Sequence, residues 1–250
     1  RAGLPGALLA SACFTLPSAV LMVAFAQGMA WVGDVHGTGW LHGLKVAAVA
    51  VVAHAAWSMG RKLCTDRARV ALCVGAAAFL RLVPGVVTQL GVMLAGALAG
   101  YALYRDAEAR ETAPGAPARV EGHPGAVLAL VVFGLLLVVL PPLAVATGSR
   151  DIAVLDAFYR AGALVLGGGH VVLPLLRAEV VPVGWVTDDA FLAGYGAAQA
   201  VPGPLFTFAA YLGAAMHPGP AGWLNGAWCL LGIFLPAWLL IGGALPFWHG

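Results

Sequence analysis

Apolar and charged residues are gathered along this chain into long separate blocks. Residues 2–33 contain no Asp, Glu, Lys or Arg, and neither do residues 190–250. Apolar runs of about 18 residues or more have the length of a helix that crosses a bilayer core. Residues 4–32 form the first such run, interrupted at Pro17, and residues 44–59 form the second, with His54 read as a packed neutral side chain inside it. The first run is too long for the apolar region of a signal peptide, although Arg1 precedes it and Ala24-Phe25-Ala26 resembles a cleavage site. A chain that opens on Arg rather than Met is expected to be a fragment.

Residues 70–104 are apolar apart from Arg81 and a Pro84-Gly85 pair. One straight helix over them would be about 52 Å long at 1.5 Å per residue, against a hydrocarbon core of about 30 Å. Two short helices meeting near Arg81 are predicted instead. Residues 105–124 read as a soluble linker, with Arg105, Asp106, Glu108, Arg110, Glu111, Arg119 and Glu121 among Pro and Gly. Residues 125–146 form the plainest span, with Pro141-Pro142 near its end.

The remaining apolar stretches are broken from within. Residues 161–176 hold Gly167, Gly168, Gly169 and His170; residues 190–216 hold Pro202, Gly203 and Pro204; residues 221–248 hold Leu235-Pro236. An unpaired backbone group in lipid costs several kcal/mol, so such breaks survive only where protein or a water-filled cavity takes up the bonds.

Composition narrows the class. The chain is 61% hydrophobic and 10% charged, whereas soluble domains are about 25% charged. A net charge of +2 is no surface for nucleic acid. Cys13, Cys64, Cys73 and Cys229 are not at metal-ligand or paired spacing, and neither a metallopeptidase helix nor a nucleophile elbow nor a phosphate loop is present. No cofactor is expected. Seven of the 13 Lys and Arg lie in residues 61–69 and 105–121, which places both segments in the cytoplasm with an even number of crossings between them.

Two stretches look alike. Gly6-Ala7, Phe14 and Leu16-Pro17-Ser18 are echoed by Gly226-Ala227, Phe234 and Leu235-Pro236-Ala237. This predicts an internal duplication, as in secondary transporters built from repeats with broken helices.

The chemistry sits at the breaks. Glycines ahead of a helix let backbone N–H groups converge on an anion, with the helix dipole favouring negative charge. Gly167, Gly168, Gly169 and His170 therefore form a candidate oxyanion cradle; close packing between membrane helices is the alternative. Pro202, Gly203 and Pro204 cannot continue a regular helix, and Gln199 and Thr207 place polar groups on either side of that gap. Arg81, Arg160, Arg177 and Glu179 lie at predicted helix ends, where snorkelling to the interface accounts for them.

Leu166-Gly-Gly-Gly-His-Val-Val-Leu-Pro-Leu-Leu176 and Gly194-Tyr-Gly-Ala-Ala-Gln-Ala-Val-Pro-Gly-Pro-Leu-Phe206 strongly resemble the chromate ion transporter family. Trp185 and Phe191 fall between the two motifs where that family places its Gly-Trp and Phe, and residues 3–22 resemble the matching piece of its first half. The family has two homologous halves in one chain and exports chromate. The resemblance thus implies an all-α, polytopic transmembrane bundle with re-entrant helices: residues 1–104 as the end of the first repeat, 105–124 as a cytoplasmic linker, and 125–250 as a truncated second repeat.

It implies a secondary transporter in a bacterial inner membrane. Chromate or sulfate dianion would bind at Gly167, Gly168, Gly169, His170, Gln199, Pro202, Gly203 and Pro204. The first half's Gly-Gly and Pro-Gly-Pro motifs are absent, so the missing half or a second copy is an expected partner beside the lipid bilayer. The alternatives are export of another oxyanion, and a membrane enzyme using His170 with Glu179 or Asp188.

Overall fold

The computed structural model describes residues 3–32, 39–83, 86–108, 124–165 and 172–248. These form ten α-helices and a short 3-10 turn, with no strand among the described residues. The helices are α1 (Gly3–Val32), α2 (Gly39–Leu63), α3 (Arg67–Leu82), α4 (Val86–Glu108), α5 (Pro124–Thr147), α6 (Arg150–Ala163), α7 (Val172–Val180), α8 (Asp188–Ala200), α9 (Phe208–Met216) and α10 (Pro220–Trp248). The chain is thus an all-α membrane bundle. Among the described residues, three helices are long and apolar enough to cross a bilayer: Gly6–Trp31, Pro124–Thr147 and Pro220–Ala244.

The chain groups into two compact units, Arg1–Val52 with Val120–Gly250, and Ala53–Arg119. This grouping in space is a different matter from the division by repeat and linker drawn from the sequence. In the smaller unit the apolar stretch does divide in two: α3 ends at Leu82 and α4 starts at Val86. α4 continues to Glu108, so the expected linker begins inside a helix, and its residues 109–123 lie outside the described residues. α2 is long enough to span, and it carries Lys45, His54, Arg61 and Lys62 along an otherwise apolar run. His54 is exposed rather than packed. Cys64 is half-buried and Cys73 exposed, and both are free thiols.

The larger unit is built around α9. Phe208, Ala209, Ala210, Tyr211, Leu212 and Ala214 are all essentially inaccessible. α9 folds back on α8: Phe208 meets Phe191 edge-on at 5.0 Å and Tyr195 at 6.0 Å, while the Tyr211 hydroxyl donates to the Ala190 carbonyl at 2.8 Å. Later residues of α9 meet earlier residues of α8, so the two helices form an antiparallel hairpin. Each such ring pair contributes about 0.5–1.5 kcal/mol beyond its burial.

α10 packs along the other side of α9, with the Asn225 backbone against Gly213 and the Ala210 carbonyl against Gly226. A side chain at either glycine would drive into backbone, so small residues there set the helix spacing. α1 runs antiparallel to α10. The Gln27 amide clasps Gly219, accepting from its N–H at 2.8 Å and donating to its carbonyl at 2.9 Å. Farther along, Val23 meets Gly226, and the Trp238 indole donates to Ser11 Oγ at 3.4 Å.

Two expected breaks do not occur. α1 runs through Pro17 and α10 runs through Leu235-Pro236 without interruption. A proline inside a continuing helix forfeits one N–H bond and bends the axis. Opening the helix in lipid would expose several backbone groups at several kcal/mol each, so the kink is the cheaper outcome.

Candidate functional site

Among the described residues, the expected interruption that does occur lies between α8 and α9. Thr187 starts α8, its Oγ1 accepting from the Ala190 N–H at 3.2 Å, with Asp188 and Asp189 in the first turn complementing the helix dipole. α8 stops at Ala200 because Pro202 and Pro204 cannot donate to it. The chain then turns through Gly203 at φ +148°, a conformation reserved for glycine, and re-enters helix through Leu205–Thr207. The Thr207 N–H and hydroxyl both donate to the Pro204 carbonyl, at 3.0 and 2.9 Å. Thr207 is buried and closes the turn, so it serves the loop rather than a cavity.

This hairpin tip rests on α1 directly beside its proline. A Cβ on Gly203 would overlap the Ser18 hydroxyl and stand 3.8 Å from the Phe14 carbonyl. Ser18 is buried, and its Oγ donates to the Thr15 carbonyl at 3.0 Å. On α10, the Phe234 ring packs on Phe206 at 5.8 Å. Phe234 stands near the middle of the apolar span Pro220–Ala244, which puts the tip at its mid-level. In the last turn of α8, Gln199 Nε2 is buried; the Tyr195 side chain one turn back is its neighbour, and no well-aligned hydrogen bond satisfies the amide among the described residues. Buried polar atoms are rarely left this way.

Gly167, Gly168, Gly169 and His170 lie outside the described residues. The helices on either side of them are clear: α6 ends at Ala163 and α7 begins at Val172. Among the described residues, then, the candidate site brings together Gln199, Pro202, Gly203 and Pro204, with Ser18 and Thr15 beside the tip. The sequence placed Ser18 only in the repeat; its position after Pro17 was the available signal.

A second polar cluster joins α6 to α7. The Arg160 guanidinium donates to Asp156 Oδ2 at 2.9 and 3.1 Å and to Glu179 Oε2 at 3.1 Å. Arg177 binds Asp188 through two parallel bonds of 2.7 and 2.9 Å, fastening the end of α7 to the start of α8. Snorkelling is therefore not what holds Arg160, Arg177 and Glu179, because each has a carboxylate or guanidinium partner from another turn or helix. Both Asp156 and Glu179, outside the three spans, have their carboxyls pushed up by burial, against the pull of Arg160. The Asp188 bonds hold Arg177 above its usual value. Asp156 escaped notice in the sequence, although its spacing of four from Arg160 is that of a helical ion pair.

The sequence profile described as "Chromate transporter" matches residues 1–101 and 152–250. The chain belongs to the chromate transporter family. Its similarity to the chromate transport protein of Pseudomonas aeruginosa is 28% identity over 248 residues, 93% of this chain and 53% of that protein. It is also 48% identical over 59 residues to the uncharacterized transporter YwrB of Bacillus subtilis (strain 168), which is 23% of this chain and 30% of that one. The chain therefore spans about half the length of the Pseudomonas protein. No solved structure matches it. Chromate transporter membership and the apolar helices make this a multi-pass membrane protein of a transporter family. That membership also weighs against the enzyme reading, whose acid–base candidates Glu179 and Asp188 are both engaged in ion pairs.

Proposed function

We propose that the protein exports chromate from the cytoplasm across a bacterial inner membrane as a secondary transporter, with sulfate as a second tetrahedral dianion able to compete. One observation carries the reading: Gln199 Nε2 is a buried amide with two N–H donors and, among the described residues, only the Tyr195 side chain beside it, next to a helix break at the mid-level of an apolar span. A dianion at the tip would satisfy it, with Gly167, Gly168, Gly169 and His170 supplying further donors and Pro202, Gly203 and Pro204 shaping the turn. Alternating access would rock the α8–α9 hairpin against α1 and α10.

The antiparallel course of α1 and α10, which share the Gly-Ala…Phe…Leu-Pro pattern, supports repeats of inverted topology. The partner that completes the pair is then the remainder of a longer transporter or a second copy of the chain. The segments 61–69 and 105–121 face the cytoplasm in this reading.

The test is chromate flux through the protein in proteoliposomes, comparing Gln199→Leu with the unaltered chain at equal insertion. Losing a hydrogen bond to a charged group costs about 1.5–3 kcal/mol, which is about 10- to 150-fold in anion affinity. Undiminished affinity in Gln199→Leu would remove Gln199 from the site. Stronger competition by arsenate or molybdate than by sulfate would favour export of another oxyanion.

A further inference from the structure

Where α6 and α7 pack side by side, two carboxylates share one guanidinium. With both carboxyls ionised, Asp156, Glu179 and Arg160 leave one net negative charge in a largely dry place. The Asp156 side chain is 7% exposed, and its Oδ1 is buried with no hydrogen-bond partner among the described residues. An ionised carboxylate normally has donors on both oxygens, yet Arg160 reaches only Oδ2. No other described group compensates. α5 and α10, which flank α6, carry no Asp, Glu, Lys, Arg or His. Arg177 is turned to Asp188, and the Tyr159 hydroxyl donates to the Phe133 carbonyl.

We propose that Asp156 and Glu179, bridged by Arg160, form a proton-binding site, and that its proton is taken up together with the transported anion. One proton from water adds to a carboxylate oxygen of the pair, leaving Arg160 paired with the carboxylate that stays ionised; no other bond changes. The pair titrates as a unit, and burial of both carboxyls favours the protonated state.

The linkage to the anion rests on the transport reading above, whereas the proton site itself does not. Gly162, in the last turn of α6, lies against the Ile233 backbone and 3.1 Å, measured from a Cβ placed on it, from the Pro236 ring. Phe206, at the hairpin tip, packs on Phe234 of that same turn. Asp156 stands under two helical turns back from Gly162, about 9 Å along the helix. A dianion at the tip therefore feels the extra negative charge, and neutralising that charge raises anion affinity. By reciprocity the anion raises proton affinity by the same factor. A dianion accompanied by one proton still carries a net negative charge, which an inside-negative potential drives outward.

The experiment follows the protonated-carboxyl infrared band of the full chain in lipid nanodiscs during a pH titration, with and without chromate or sulfate, in sodium and in potassium. A band that persists above the ordinary carboxylate range, disappears in Asp156→Asn or Glu179→Gln, and strengthens with the anion is the expected result. Asn mimics the neutral acid in shape, so Asp156→Asn should insert normally. Asp188→Asn is the control and should leave the band unchanged.

Anion binding should tighten about tenfold on acidification across the band's titration, and should lose that dependence in Asp156→Asn. Sulfate separates this from protonation of chromate itself. No band above the ordinary range, or one unaffected by Asp156→Asn and Glu179→Gln, would overturn the proton site. A band displaced by sodium would replace the proton with a metal cation and overturn it too. Binding of both anions with no pH dependence would overturn the linkage. Absence of any anion binding, with the band intact, would instead count against the transport reading.

Discussion

Replacing Gly203 by alanine perturbs two things at once, and they can be measured apart. The backbone at this position has φ +148°, where an L side chain is strained by about 1–3 kcal/mol. The added methyl also meets the Ser18 hydroxyl and Cβ of α1, and overfilling a packed contact costs about 1–3 kcal/mol. Together the substitution should destabilise the larger unit by about 2–6 kcal/mol. Ser18→Gly removes the second cost but not the first. In the double-mutant cycle the two substitutions should therefore be non-additive by about 0.5–3 kcal/mol, in the direction of rescue.

The assay is thermal unfolding of the purified protein in detergent, read beside chromate flux per inserted molecule. Gly203→Ala should lower the melting midpoint by about 5 °C or more, and Ser18→Gly should restore part of that. Flux should fall more than membrane abundance does, because the tip would be pushed off its seat on α1. Full additivity of the two substitutions, or a Gly203→Ala protein with unchanged midpoint and flux, would refute the close seating of the tip on Ser18.

Further outcomes are expected elsewhere. Gly168→Val should abolish chromate flux with insertion intact, because a branched side chain blocks the approach of a dianion to backbone N–H groups; normal efflux would shift the anion to Gln199 and the hairpin tip alone. Tyr211→Phe removes the bond to the Ala190 carbonyl and should cost about 0.5–1.5 kcal/mol of stability, since that carbonyl keeps its helical bond within α8. Asp188→Asn, which touches an exposed pair, should change stability by less than about 1 kcal/mol. Membrane-impermeant thiol labelling of Cys64 should succeed only from the cytoplasmic side, and labelling from outside would reverse the orientation drawn from Lys and Arg.

Much of the fold was legible because lipid leaves so few options. Long uncharged blocks became α1, α5 and α10, and the excess length of residues 70–104 became α3 and α4. Pro202-Gly203-Pro204 was readable as a break because two prolines within one turn each lack an N–H donor, with a glycine between them free to turn the chain. Pro17 and Pro236 misled, since a single proline bends a helix that the surrounding apolar medium still holds together. The hairpin formed by α8 and α9 was not readable at all. It depends on Phe208, Phe191, Tyr195 and Tyr211 finding one another, and apolar residues in a uniformly apolar run give no period to follow. The Asp156–Arg160–Glu179 cluster was half visible: the helical spacing of Asp156 and Arg160 marks one pair, but the return of α7 that brings Glu179 to it is a tertiary event.

A transporter moves its oxyanion without altering it, whereas an enzyme releases a changed product. The most direct measurement of that difference is counterflow in proteoliposomes loaded with unlabelled chromate, with radiolabelled chromate outside and the chromium oxidation state checked on both sides. Transient, saturable accumulation of label as unchanged chromate is expected, reduced by sulfate and shifted to about 10- to 150-fold higher chromate in Gln199→Leu at equal protein. No accumulation above protein-free vesicles, or label recovered as a reduced or otherwise altered product, would contradict the transport reading.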